Sequence, residues 1–272
     1  MYIIIKYLYI IAFCMVMVGR AAAHPDSLIY RSQSVRSIGV GFPSINYSLL
    51  SPLNHSGYSL GSHSTRFRKK PNSLTQFQLH FELGLLYNNA NDSYITTLGF
   101  NSSWSRHWYV TDRSRPLRLM LGGAADVGVN IYLKEDNTNN PLAYFFNLSV
   151  SPSILVQYRF NIHKTKFELG QQIEAPAGSL ISSSGYSSVL PPGFAEKDAD
   201  FFDAMRTVSF GSLKKCVAVT SLDITPSLER RRQWPTFRVS YMFSGMNYRN
   251  GDFTVKSVDH IILFGAIFYL FR

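Results

Sequence analysis

Apolar and polar residues alternate at every second position along most of this chain. The clearest stretch runs from Gln76 to Tyr87. Successive side chains of a β-strand point to opposite faces, so this period predicts a strand with one apolar and one polar face. The apolar row consists of Phe77, Leu79, Phe81, Leu83, Leu85 and Tyr87.

The same alternation recurs through the chain and predicts an all-β protein. Several stretches exceed ten residues, and their polar rows hold full charges such as Glu82 and Arg118. Such strands suit either a half-buried sheet in a soluble sandwich or the wall of a transmembrane barrel. The pattern predicts eleven strands, at about residues 35–49, 55–68, 76–87, 94–105, 117–131, 146–160, 167–173, 201–210, 217–224, 237–243 and 258–271.

The end of the chain favours the membrane barrel. The run Asp259–Phe271 has the length of a membrane strand, roughly 9–11 residues, and is shorter than the about 20 residues of a membrane helix. We interpret the row from Ile261 through Gly265 to Tyr269 as lipid-facing. Gly265, Tyr269 and Phe271 are then candidates for the signal that barrel-assembly machinery recognises. The fold class predicted is an antiparallel transmembrane β-barrel, with a periplasmic or surface β-sandwich binding module as the alternative.

The charges between the strands bear on how many strands there are. Both ends of a bacterial barrel are expected in the periplasm, which requires an even number. Counting strands from the N-terminus places the first three basic clusters in the periplasm, and counting back from the C-terminus places the fourth there. The two counts agree only if one more strand lies between Phe167 and Pro226, either within Leu180–Leu190 or by a split of Phe201–Val219. We therefore predict about 12 strands, in a range of about 10–14. The basic clusters used in this count lie within residues 66–70, 113–115, 164–166 and 230–232.

The N-terminus predicts export. Lys6 precedes an apolar core from Tyr7 to Val18, and small residues follow up to Ala23, as in a cleaved signal peptide. The predicted organisation is a signal peptide over 1–23, a periplasmic leader over 24–34 and an outer-membrane barrel over 35–272. Cys14 has bulky neighbours, which disfavours lipoprotein cleavage. The predicted location is the outer membrane of a Gram-negative envelope.

Cysteine content and charge narrow the functional classes. Cleavage would leave Cys216 as the last cysteine, so no intrachain disulfide and no Cys-based zinc site could form. Loss of Lys6 and Arg20 changes the net charge from +10 to +8 (25 basic and 17 acidic residues). Exported chains do not normally meet nucleic acid, so no nucleic-acid partner is expected. The basic clusters fit a membrane rim better.

Three motifs resemble a known family. They are the stretch from Leu50 to Tyr58 (LSPLNHSGY), the turn Asn139-Asn140-Pro141, and the stretch from Val258 to Gly265 (VDHIILFG). Together they look like an uncharacterised family of outer-membrane barrels from Bacteroidota, a domain of unknown function. The resemblance implies the fold and the location. It implies no established activity, and the chain departs from the pattern by ending in Arg272 instead of an aromatic residue.

A lipid-modifying hydrolase of the outer membrane is one alternative function. Such an enzyme needs a His and a Ser on neighbouring lipid-facing positions, so that the imidazole can take the hydroxyl proton. His55 and Ser56 are adjacent, and adjacent strand residues point to opposite sides. His63 and Thr65 have the right spacing but no evident acid beside them. We therefore expect no enzymatic activity.

The inward row is the other candidate site. Its mixed charges suit either a selectivity lining for a narrow pore or a salt-bridge network that fills the lumen, and the second is favoured. The predicted role is structural or that of a narrow, porin-like channel. No cofactor and no metal are expected, the partners expected are outer-membrane lipid and the assembly machinery, and the oligomeric state is left open. The predicted lumen residues are His80, Glu82, Arg118, Asp126, Arg159, Glu168, Glu174, Asp223 and Arg238.

Overall fold

The computed structural model describes most of the region predicted to form the barrel. Several predicted features lie outside the described residues: the signal peptide, most of the leader, the Asn139–Pro141 motif, the 230–232 cluster and Phe271. The residues described are 32–48, 50–88, 90, 93–134, 142–183, 206–209, 213–226, 236–250 and 253–270.

The described part of the chain consists of β-strands and their connections. No helix in it is long and apolar enough to cross a membrane. The strands are β1 (Ser32–Gly41), β2 (Ser44–Tyr47), β3 (His55–Lys69), β4 (Ser73–Asn88), β5 (Ser93–Tyr109), β6 (Leu117–Leu133), β7 (Leu142–Ile162), β8 (Thr165–Glu174), β9 (Gly178–Ser183), β10 (Arg206–Ser209), β11 (Leu213–Thr225), β12 (Thr236–Asn250) and β13 (Phe253–Leu270).

Ten of these strands close into an antiparallel barrel. The order around the ring is β1-β3-β4-β5-β6-β7-β8-β11-β12-β13, and β13 pairs back onto β1. The other three strands extend members of the ring. β2 continues β1 in the same register after Pro43, β9 continues β8 along β7, and β10 pairs with β9 ahead of β11. The barrel predicted from the sequence is confirmed.

The described residues form a ring of ten strands, which lies inside the predicted range of about 10–14 and below its central value of twelve. The two counts disagreed in the segment between Phe167 and Pro226, and the structure differs from the prediction in that segment. The predicted strands at 201–210 and 217–224 occupy a single position in the barrel wall, as β10 followed by β11. Leu180 belongs to β9, which prolongs β8.

Two prolines affect the strands differently. No bulge occurs at Pro43, since β1 and β2 keep one register against β13, and Ile45 and Tyr47 face inward. A bulge occurs instead around Pro176. There β7 advances three residues, from Val150 to Ser153, while the segment paired with it covers four, from Gly178 back to Glu174. β1 also begins at Ser32, three residues before the predicted start of the barrel at residue 35.

The pairing register gives the stagger and tilt of the wall. A row of paired inward residues that starts at Arg159 on β7 returns to β7 at Asn147, twelve residues earlier. For ten strands this stagger gives a tilt of about 40° to the barrel axis. The row consists of Arg159, Glu168, Asp223, Arg238, Gly265, Ser37, His63, His80, Asn101, Gly128 and Asn147.

The apolar rows lie on the outside of the barrel. On β4, every second residue from Phe77 to Tyr87 is exposed, while Gln76 and Leu86 are buried. Ten residues tilted by about 40° span about 25 Å, the height of a membrane barrel's apolar band. In a sandwich these rows would face each other, so the alternative of a β-sandwich is excluded.

The face of the closing strand β13 was predicted wrongly. Ile261, Leu263 and Ile267 are buried inside the barrel, and Ile262 and Phe264 are exposed outside. Both rows of this strand are apolar, so the period of two alone could not distinguish them. Gly265 lies on the same inward row. The side chains of Tyr269 and Phe271 are not among those that the structure describes.

The two rims of the barrel differ. We call the rim at which β1 begins and β13 ends the terminal rim, and the opposite one the loop rim. At the loop rim β9 ends and β10 begins, and the sequence interval between these two is the longest between consecutive described strands. Membrane barrels have short periplasmic turns and longer outer loops.

A glycine allows close approach at the β1–β13 seam. A Cβ on Gly39 would collide with the backbone of Ile262 and Leu263. Glycine at such a point lets a strand coil as barrel closure requires. At Gly178 an added Cβ would meet no atom within 4 Å.

We expect Gly39→Ala to destabilise the refolded barrel by about 1–3 kcal/mol, because the methyl group must displace backbone atoms. Gly178→Ala is the matched control and should change stability little. Urea unfolding in detergent, followed by tryptophan fluorescence, measures both. Equal stability of the two variants would contradict the tight seam.

Candidate functional site

The interior of the barrel holds an apolar cluster near each rim, with a polar layer and a small third cluster of Met242, Ile261 and Leu263 between them. The loop-side cluster draws residues from nine strands, counting β2 and β9. The terminal-side cluster lies near the opposite rim and consists of Val35, Phe67, Leu74, Met120, Leu155 and Ile267, with Tyr109 against it. The loop-side cluster consists of Ile45, Tyr47, Leu50, Leu86, Ile95, Tyr132, Ala143, Phe145, Ile181, Leu213, Met246, Tyr248 and Val255.

The predicted lumen residues all lie on inward rows, where they form separate groups. Near the terminal rim, Glu168 joins two arginines. Its Oε2 accepts from Arg118 Nη2 at 3.0 Å and from Arg159 Nε at 2.6 Å. Arg118 is fully buried, whereas the Arg159 side chain is 47% exposed. Arg118 is therefore the member that depends most on the pair.

The second group is a bidentate pair across β11 and β12. Arg238 donates from Nε to Asp223 Oδ1 at 2.5 Å and from Nη2 to Oδ2 at 2.6 Å. The Arg238 guanidinium also lies 5.2 Å from the centre of the Phe67 ring. This pair therefore connects the polar layer to the terminal-side cluster.

The third group contains a residue that the sequence analysis missed. Lys215 Nζ donates to Asp126 Oδ2 at 2.9 Å, and Asn147 Nδ2 donates to the same oxygen at 3.1 Å. Lys215 lies eight residues before Asp223, so it shares the inward row of β11. That spacing is the signal that could have identified it.

The fourth group lies where β3, β4 and β13 meet. His80 Nε2 lies 3.4 Å from Glu82 Oε2, and the His63 ring centre lies 5.8 Å from that of His80. The Asp259 carboxyl lies near Glu82, and Asp259 Oδ1 and Glu82 Oε1 are buried with no hydrogen-bond partner among the described residues. Asp259 was missed because its row on β13 was assigned to lipid.

Glu174 belongs to a chain of polar contacts without a bonded cation. Its Oε1 accepts from Gln172 Nε2 at 2.6 Å and from Ser153 Oγ at 3.2 Å. Ser153 Oγ also contacts His107 Nε2 at 2.8 Å. A catalytic triad needs the histidine between the hydroxyl and the acid, whereas here the hydroxyl is in the middle. The geometry fits a structural chain.

The residues considered for a hydrolase are not arranged as one. His55 is buried, with Nε2 3.2 Å from Ser93 Oγ, while Ser56 faces outside. His63 Nε2 contacts Thr65 Oγ1 at 2.9 Å, but both lie inside the barrel, and His63 Nδ1 has no partner among the described residues. Neither pair therefore places a histidine and a hydroxyl together on the outward face.

A small cavity lies against the terminal-side cluster and is lined by both apolar and polar residues. Its volume is about 40 Å³, and a single water needs about 10–15 Å³, so it holds only a few water molecules. Within the described residues, no three His, Cys, Asp or Glu side chains form a metal site. Polar residues lining the cavity are Ser37, His63, Thr65, Gln76, Gln78, Gln157, Gln172, Ser221, Arg238 and Ser240.

Basic turns gather at the terminal rim. Arg113 Nη1 donates to the Lys70 carbonyl at 3.4 Å, which brings two of the predicted basic turns together. Asp112 lies in the turn after β5, where the backbone N–H of Ser114 donates to its carboxylate and lowers the pKa of Asp112. This rim is therefore strongly cationic.

We expect Asp223→Asn to lower the free energy of unfolding by about 3 kcal/mol, because Arg238 would remain largely buried without its counter-charge. Arg159→Gln is the control and should cost less than about 1 kcal/mol, since Arg159 is half-exposed and Glu168 keeps Arg118. Urea unfolding in detergent measures both. Similar losses in the two variants would contradict the assignment.

Solved structures similar to this chain are all barrels of low sequence identity. The outer membrane protease OmpT from Escherichia coli has 8% identity and a TM-score of 0.49, covering 91% of this chain and 99% of its own. The translocator domain of the autotransporter NalP from Neisseria meningitidis has 6% identity and a TM-score of 0.42, covering 96% and 95%. The β domain of the Bordetella autotransporter Brka has 9% identity and a TM-score of 0.42, covering 89% and 100%. At such values, activities do not carry over.

The family match is broader than these likenesses. No curated protein matches this chain. The model of one family spans residues 8–272, almost the entire sequence. The chain therefore belongs to the family described as protein of unknown function (DUF3316).

Proposed function

We propose that this chain is an outer-membrane protein of a Gram-negative cell envelope, and that its closed lumen makes it a structural barrel. Residues 1–23 would serve as the export signal. The terminal rim would face the periplasm, and the loop rim with its long connection would face outward. A Bacteroidota origin is part of the same proposal and rests on the motifs at Leu50–Tyr58 and Val258–Gly265.

The apolar belt supports the membrane location. A water-soluble barrel would gain nothing from large apolar side chains on every second outward position, and such a surface would aggregate. Acyl chains remove that cost, and a closed ring leaves no backbone group unpaired in lipid. Outer-membrane lipid is thus the proposed partner.

The filled interior is the observation that supports a structural role. Three buried apolar clusters occupy the lumen, and Glu168, Asp126 and Asp223 between the two larger ones each bond a basic side chain. A diffusion pore needs a continuous water path, which neither of the two larger clusters offers. A narrow channel is the second candidate, because the polar layer holds a cavity that side-chain motion could connect to a rim.

The closing strand supports a proposed contact with the barrel-assembly machinery. β13 is the last strand and pairs with β1 over ten residues to close the ring. Gly265 lies within that seam, where an added Cβ would meet the backbone of Arg36 and Ser37. Gly265, with Tyr269 and Phe271 beyond it, would present the edge that the machinery holds before closure.

Conductance in planar bilayers tests the closed lumen. We expect no discrete steps for the refolded wild-type protein, with an open porin as the positive control. Phe145→Ala/Tyr248→Ala should stay silent, because the terminal-side cluster still closes the lumen. Adding Phe67→Ala and Met120→Ala should produce steps.

Heat modifiability on gels would verify that each variant is folded. Regular steps from the wild type would overturn the structural role in favour of the narrow channel. Steps from the double variant alone would place the closure in the loop-side cluster only.

A further inference from the structure

Acidic and basic side chains are distributed unequally between the two faces of the wall. In the described strands, every acidic side chain lies on an inward row, and the six are Glu82, Asp126, Glu168, Glu174, Asp223 and Asp259. Several arginines instead lie on outward rows. We call Arg36, Arg66, Arg68 and Arg106 the arginine patch; they lie on β1, β3 and β5.

The pairing register brings Arg36 and Arg66 together. Arg36 is opposite Ser64, and Arg66 is opposite Ser34, so the two arginines are diagonal neighbours on one face. Diagonal neighbours on a sheet are roughly 7–8 Å apart, which long side chains can bridge. The same oxyanion could therefore accept from both guanidinium groups.

Arg106 extends the patch across β4. Arg68 and Arg106 are both opposite Thr75, one from each side of that strand. The Arg106 guanidinium lies 5.3 Å from the centre of the Trp108 ring, and its Nε is buried with no hydrogen-bond partner in the described residues. Trp108 is exposed on the outside, as in the aromatic girdle of a membrane interface.

Arg36, Arg66 and Arg106 have no ion-pair partner within the part of the chain that the structure describes. A guanidinium group next to acyl chains is costly unless an anion or water reaches it. The outward rows of the described strands offer no carboxylate, so any anion that binds these arginines comes from outside these strands.

The depth of the patch matches lipid headgroups. Arg66 is opposite Phe77, the first residue of the apolar row on β4. Arg36 lies one step further into the band, because its partner Ser64 is opposite Leu79. The patch thus lies at the boundary of the apolar band, near the terminal rim.

We propose that the arginine patch binds the phosphate of an anionic phospholipid in the leaflet at the terminal rim, with the acyl chains along Phe77 and Leu79. This inference rests on the proposed membrane location. Guanidinium groups bind phosphate through paired, charge-assisted hydrogen bonds. A zwitterionic lipid carries its own ammonium group, so a net negative lipid gains more from Arg36, Arg66 and Arg106.

A second copy of this chain fits the patch poorly. Its own described strands present no carboxylate on the outward face, so two copies would bring arginines together without counter-charges. Lipid phosphate is the anion that a membrane supplies at this depth.

Native mass spectrometry of the refolded, detergent-purified protein tests the site. The probes are dioleoylphosphatidylglycerol and dioleoylphosphatidylcholine, added in equal amounts. We expect wild type to retain the anionic lipid preferentially, and Arg36→Gln/Arg66→Gln to weaken that binding about tenfold or more. The matched control, Arg249→Gln/Lys256→Gln, removes two outward basic residues near the loop rim and should leave the preference intact.

Equal retention of the two lipids by wild type would overturn the proposal, and this comparison needs no variant. Equal losses of anionic-lipid binding in the patch and control variants would overturn it too, since the effect would then follow from net charge and not from this site. Loss of a dimer instead of a lipid adduct would assign the patch to a contact between copies. Fractionation of cells that express the protein separates this proposal from the proposed outer-membrane location. Protein in the outer-membrane fraction without lipid preference would refute the site and leave the location intact.

Discussion

The structure depends on one constraint, that a chain in acyl surroundings must pair every backbone N–H and C=O within itself. The β1–β13 seam satisfies it by joining the first and last strands of the ring. Closure requires a stagger between the strands, and the return of the paired row from Arg159 to Asn147 gives its size. The same stagger brings residues distant in sequence, such as Asp126 and Lys215, within bonding distance inside the barrel.

The interior follows from the size of the ring. Ten strands enclose more space than an eight-stranded barrel, whose side chains just fill it, and less than an open porin. Here aromatic and aliphatic residues fill both ends, and most of the charged residues in the middle bond a residue of opposite charge. Pairing is needed because a buried charge without a partner is costly. On the outward face, where the described strands offer no carboxylate, we propose that the arginines find their anion in the lipid.

Much of this arrangement could be predicted from the sequence, because lipid outside and polar groups inside impose a period of two on strands such as β4. Where both faces of a strand are apolar, the period of two does not show which face points outward. The row of Ile261 and Leu263 was therefore assigned to the wrong side, and Asp259 was missed with it. The strand count was too high because the apolar stretches at 201–210 and 217–224 were read as two strands, whereas β10 and β11 occupy one position in the wall. Lys215 could have been found from its even spacing to Asp223, whereas the contact of His107 with Ser153 required the register of three strands.

The orientation of the wall is the central claim, and spin-label accessibility along β4 tests it most directly. Single cysteines would replace successive residues from Phe77 to Tyr87 in a Cys216→Ser background, in protein refolded into phospholipid vesicles. The account predicts that collisions with oxygen, which dissolves in acyl chains, are frequent at Phe77, Leu79 and Phe81 and rare at Gln78, His80 and Glu82. An absence of this alternation, or its reversal, would contradict it.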